Sequence, residues 1–128
     1  MEFKQHSVPG YVQVVEATDN STGLHDIIAV HNTNLGPAVG GTRLFPYATT
    51  EEALQDVLRL ARGMTYKSAL AGLPFGGGKA VILADPKDKT PQLFQAFGTF
   101  VNQLKGQYIC AEDMNTSPAD MEIVHSVT

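Results

Sequence analysis

Three residues stand in settings suited to proton chemistry: Lys67, Lys79 and Asp113. Helical periodicity places Val57, Leu60, Met64 and Lys67 on one face, so an apolar stripe ends in an ammonium group. The competing reading lets the helix end first and Lys67 reach solvent along its aliphatic stem. Lys79 follows Gly76-Gly77-Gly78 and opens the apolar run Ala80-Val81-Ile82-Leu83. Three glycines before a buried strand weaken it, which predicts close approach of a ligand or another backbone. A phosphate-binding loop is excluded, because Leu73 stands where its first Gly belongs and Ala80 where its Mg²⁺-binding hydroxyl belongs. Asp113 directly follows the apolar stretch Tyr108–Ala111, at a strand end where open α/β sheets bind ligands. Glu112 beside it competes for that role, and a solvated acidic loop is the plainer alternative. Two lysines sharing a partly desolvated cleft repel, so one gives up its proton more readily and serves as acid and base near neutral pH. The other can hold a carboxylate while the aspartate carries a second proton. That trio suits chemistry at the α-carbon of an amino or 2-oxo acid, provided the three meet in space.

The elements that must position them are legible from pattern. Tyr11–Ala17 and Leu24–His31 are β-branched and aromatic and flank the turn cluster Thr18–Gly23, which predicts an antiparallel hairpin. Gly36–Arg43 reads as extended or looped, without side chains for a core element, and Gly40-Gly41 predict close packing at the backbone. A helix starts at Thr49, with Glu52 at capping-box spacing and an apolar stripe of Leu54, Val57, Leu58, Ala61 and Met64. A second helix opens at Thr90-Pro91, buries Leu93, Phe94, Phe97, Phe100, Val101 and Leu104, and stops at Gly106. A third begins at Ser117-Pro118 shortly before Thr128. The alternation predicts an α/β fold in three layers: a mostly parallel sheet, an antiparallel N-terminal hairpin at one edge, and helices on both faces.

The chain has 128 residues, which fits one domain spanning all of it. A net charge of −4 argues against nucleic acid or an anionic membrane as partner. No apolar run is long enough to span a bilayer, and the N-terminus lacks the order of a signal peptide. A single cysteine, Cys110, excludes an internal disulfide framework and fits a reducing, cytoplasmic setting. His6, His25, His31 and His125 have no ligand spacing, so no metal site is expected.

Four ordered segments then carry a resemblance: Gly36-Pro37-Ala38-Val39-Gly40-Gly41-Thr42-Arg43, Met64-Thr65-Tyr66-Lys67, Gly76-Gly77-Gly78-Lys79 and Ala111-Glu112-Asp113-Met114-Asn115-Thr116. Together they resemble the N-terminal substrate-binding and oligomerisation domain of the glutamate/leucine/phenylalanine/valine dehydrogenases, nearest the leucine branch. The resemblance implies NAD-dependent, reversible oxidative deamination of an L-amino acid to a 2-oxo acid and ammonia, in a homo-oligomer. It implies Lys67 for the substrate α-carboxylate, Lys79 as catalytic lysine, Asp113 for proton exchange with the amino group, and Val39, Gly40, Gly41 and Met64 lining the pocket. Val39 stands where glutamate-specific members carry a lysine, which favours a branched-chain or aromatic side chain. Asn115 departs from the glycine common in leucine-type members. No Gly-x-Gly-x-x-Gly follows a strand, so NAD is expected on a C-terminal domain absent from this chain, which alone is expected to be inactive. The rival expectation is a catalytically silent oligomerisation or amino-acid-binding module.

Overall fold

A computed structural model describes residues 1–128. Six strands and three helices follow the order β1 (Glu2–His6), β2 (Gln13–Asp19), β3 (Leu24–Asn32), β4 (Ala38–Phe45), α1 (Thr50–Leu70), β5 (Gly76–Leu83), α2 (Pro91–Gln103), β6 (Tyr108–Glu112) and α3 (Pro118–His125). One sheet runs β1-β2-β3-β5-β4-β6. The chain is α/β with helices on both faces, as the alternation predicts. The sheet is mixed and not mostly parallel: β1–β2, β2–β3 and β3–β5 pair antiparallel, β5–β4 and β4–β6 parallel.

The expected hairpin is β2–β3, closed by Asp19, whose carboxylate accepts from Ser21 and Thr22. It is not the edge. β1 pairs outside it, and its residues are mostly exposed, so no alternating apolar pattern marks it in the sequence. Phe3, though exposed, has its ring 5.6 Å from that of Phe100. The larger correction concerns Gly36–Arg43. From Ala38 onward it is β4, an interior strand hydrogen-bonded between β5 and β6. A side chain at Gly40 would strike the Gly78 carbonyl, and one at Gly41 would crowd Asp113 and Lys79.

Strand alternation sorts the sheet into two faces. Ile28, Val30, Ala38, Leu44, Ala80 and Ile82 face α2 and α3, where Phe94, Phe97 and Phe100 are fully buried. Burying each such ring contributes roughly 1.5–3 kcal/mol. Val14, Ile27, Ala29 and Val81 face α1 and meet Ala53, Val57 and Ala61. Thr49 caps α1 by accepting from the Glu52 N–H, though the reciprocal half of the capping box is absent. The complete box is on α3, between Ser117 and Asp120.

Gly77 and Gly78 explain the triple glycine. A Cβ on Gly77 would strike the backbone nitrogen of Thr65, so α1 lies directly on β5 there. A Cβ on Gly78 would come within 2.8 Å of the Tyr108 ring on the opposite face. The close approach is thus by protein on both sides.

Asp26 is a polar exception on the α2 face. It is fully buried and neither carboxyl oxygen has a hydrogen-bond partner. Burial pushes its carboxyl well above the usual carboxylate range. A group raised in the folded state contributes stability that is complete below its unfolded pKa and fades as pH rises through the folded one. Asp26→Asn is therefore expected to raise stability at neutral pH by on the order of 1 kcal/mol, with the gain vanishing below about pH 4. Thermal melts across pH 4–8 check this; a gain independent of pH contradicts it.

Candidate functional site

Odd-numbered positions of β4 and β5 point to the α1 side, so Lys79, Val39, Gly41 and Arg43 share one face. Strand register lays the residues out in rows. Gly77, Val39 and Ile109 are paired across β5, β4 and β6; Gly41 pairs with Ala111; Arg43 pairs with Val81. Helix α1 covers the β3–β5 part of this face and leaves the β4–β6 part open: Val39 and Gly41 are half-buried, while Ile109 and Ala111 are exposed. The site is a strip of uncovered sheet, apolar at one end and charged at the other.

Lys79 is 5% exposed and its Nζ lies 3.3 Å from Asp113 Oδ2. Two of the three expected groups therefore meet. Burial draws the Lys79 ammonium below its ordinary pKa, more strongly than the Asp113 charge restores it. For Asp113, burial pushes upward, yet the Met114 backbone, the Arg43 hydrogen bond and the Lys79 charge together hold the carboxyl below its ordinary value. The pair is thus a carboxylate that stays ionised beside a lysine that sheds its proton more easily than usual.

The loop carrying Asp113 is fastened to the end of β4. The Asp113 N–H donates to Thr116 Oγ1 (2.9 Å), and that hydroxyl donates to the Thr42 carbonyl (2.7 Å). Asn115 Nδ2 donates to the Leu44 carbonyl, and the Leu44 N–H to the Met114 carbonyl. Asn115 has φ 62°, the left-handed region that asparagine tolerates best after glycine.

Gly41 lies against both charged groups. A Cβ there would lie 2.7 Å from Asp113 Cβ and 3.1 Å from Lys79 Nζ. Gly40 plays a different part. It belongs to the buried register of β4 with Ala38 and Thr42, and a side chain on it would strike the Gly78 carbonyl. Its own carbonyl accepts from the Tyr108 hydroxyl at 2.8 Å. Met64 is half-buried on α1, one residue before Thr65, whose hydroxyl meets His31 Nδ1 at 2.7 Å.

Lys67 does not join the ion pair. It is exposed near the end of α1, and the buried neighbour there is Ser68. The second cation on Asp113 is Arg43, whose Nε donates to Oδ2 at 3.0 Å. Sequence reasoning noted Arg43 within a motif but gave it no role. The available signal was its parity with Gly41 on β4, hidden because that segment did not read as a strand.

The strand-to-helix turns show which groups this chain can hold. After β4, β5 and β6 they run Pro46–Thr49, Ala84–Thr90 and Asp113–Ser117, and none contains glycine. A dinucleotide pyrophosphate needs a glycine-rich turn opening a helix. These residues do not fit that cofactor.

Comparison with known proteins agrees with the geometry. A family model described as Glu/Leu/Phe/Val dehydrogenase, dimerisation domain, matches residues 5–128. The chain is similar to leucine dehydrogenase of Geobacillus stearothermophilus, 55% identical over 127 residues, covering 98% of this chain and 35% of that protein. It is 60% identical over 109 residues to phenylalanine dehydrogenase of Caldalkalibacillus thermarum, covering 84% of this chain and 30% of that one. The crystal structure of L-tryptophan dehydrogenase from Nostoc punctiforme superposes with a TM-score of 0.90 at 48% identity, over 93% of this chain and 36% of that chain. The chain thus spans about a third of the length of these relatives. From residue 5 to residue 128 it belongs to the family of Glu/Leu/Phe/Val dehydrogenase dimerisation domains.

Proposed function

We infer that this chain is the substrate-binding and subunit-pairing part of an NAD-dependent amino-acid dehydrogenase that interconverts an apolar, leucine-type L-amino acid with its 2-oxo acid and ammonia. The observation that carries this reading is the buried Lys79–Asp113 pair at the charged end of an open strip whose other end is Val39 and Ile109. A substrate head group at the pair would lay its side chain toward Val39 and Met64, which are both apolar. That the relatives named above act on leucine, phenylalanine and tryptophan supports an apolar side chain.

Each residue then has a definite task. Lys67, exposed on α1, takes the α-carboxylate. Neutral Lys79 accepts a proton from the water that adds at the imine carbon, and its lowered proton affinity suits a base near neutral pH. Asp113, ionised and fixed by its loop, exchanges a proton with the substrate nitrogen. The oxidant in this reading is NAD, held on a separate domain, and the absence of glycine from the three strand-to-helix turns supports that division. Binding and proton transfer are the share of this chain, and a homo-oligomer is its working form.

The test is to assay a full-length protein containing this chain with NAD and a panel of L-amino acids. NADH formation with leucine, valine or phenylalanine well above that with glutamate is expected. Preference for glutamate, or no amino-acid-dependent NADH at all, refutes the reading.

A further inference from the structure

Asp113 is held from two directions. Lys79 Nζ lies 3.3 Å from Oδ2 and Arg43 Nε 3.0 Å from the same oxygen, while no side chain hydrogen-bonds Oδ1. Arg43 is itself anchored, with Nη1 3.4 Å from Asp56 Oδ2 on α1. Asp56 is tied in turn to Arg59 at 2.6 Å through Oδ1 and to the Tyr47 hydroxyl through Oδ2. The ionisable groups around Asp113 are thus Lys79 on β5, Arg43 on β4, Asp56 and Arg59 on α1, Tyr47 in the following turn, and its exposed neighbour Glu112.

We propose that Arg43 is a positioning residue: braced against α1 through Asp56, it fixes one oxygen of Asp113 and leaves the other directed at the substrate nitrogen. The proposal rests on the function inferred above and adds a residue to it. Only a guanidinium serves both carboxylates from one planar group, because Nε and Nη1 diverge in a rigid fork. Without it, Asp113 would pair with Lys79 alone. Lys79 would then lose a repelling cation and face an unshared carboxylate, and both changes strengthen its hold on the proton. Arg43 therefore shares the Asp113 carboxylate with Lys79, so the lysine faces only part of its charge.

The experiment compares Arg43→Gln and Arg43→Lys with wild type in the full-length enzyme. In Arg43→Gln the acid limb of kcat/KM should move up by about one pH unit, with kcat near neutral pH down about tenfold and KM for the amino acid little changed. Arg43→Lys keeps the charge but loses the fork, so its limb should stay in place while plateau kcat falls several-fold. If Arg43→Gln does not fold, the lowered plateau of Arg43→Lys is the test. Wild-type limb and plateau in either folded variant overturn the proposal.

A second measurement is independent of turnover. Carbon-13 titration of the Asp113 carboxyl, assigned by its loss in Asp113→Asn, should show a higher midpoint in Arg43→Gln than in wild type. An unchanged midpoint overturns the proposal even if the protein is no dehydrogenase. An inactive wild type with a shifted midpoint refutes the functional reading alone and leaves Arg43 as the clamp on Asp113.

Discussion

Lys79→Ala in the full-length enzyme is expected to lower kcat by about 10³-fold, the middle of the range for general acid–base catalysis. The fold should survive the change. Lys79 is a buried ammonium whose removal leaves Asp113 paired with Arg43, so no carboxylate is stranded. Far-UV circular dichroism and the unfolding midpoint should stay near wild type while amino-acid-dependent NADH formation disappears. Turnover within about tenfold of wild type, less than a proton-transfer group contributes, would remove Lys79 from the chemistry.

Gly77→Val should give the largest loss of stability, about 3 kcal/mol, at the top of the usual overpacking cost. The added atoms would meet main chain as well as side chain: the Thr65 nitrogen and Cα occupy the space along with its hydroxyl. Relief would require lifting the last turns of α1 off β5. That helix is held elsewhere by the Tyr11 hydroxyl on the Leu58 carbonyl and by His31 on Thr65, so it cannot slide freely. Urea unfolding should show a lower midpoint with an unchanged slope. A midpoint equal to wild type would mean that the helix does not rest on this glycine.

α1 and α2 are readable because each carries a cap and a periodic apolar stripe, and α3 from its cap and proline. The phenylalanine face of α2 is buried as its spacing predicts. β1 and β4 were not readable, for opposite reasons. β1 is an exposed edge with little apolar patterning, whereas β4 carries glycines at 40 and 41, where the neighbouring strand and the ion pair crowd the backbone. The mistaken reading of β4 carried the sheet's balance with it, since both parallel ladders involve that strand. At the site, Lys79 is marked by the triple glycine before it and Asp113 by its place at a strand end, and the expected aspartate–lysine meeting occurs. Lys67 stands outside that ion pair, and the second cation on Asp113 is Arg43. Periodicity along α1 could order Lys67 on a helical face but could not reveal that Arg43, 70 residues from Asp113 in sequence, reaches it across the sheet.

The Tyr108 hydroxyl, donating to Gly40 and lying 3.3 Å from the Gly41 carbonyl, grips β4 from behind, through the phenylalanine-lined layer. Genetic lesions in that rear layer can consequently imitate lesions in the reaction centre. A Tyr108→Phe enzyme with poor turnover would not identify a tyrosine that meets substrate; it would identify the peg that keeps the floor flat. Surveys of inactive variants need a folding or titration readout beside the assay, or they will draw the boundary of the chemistry one layer too deep.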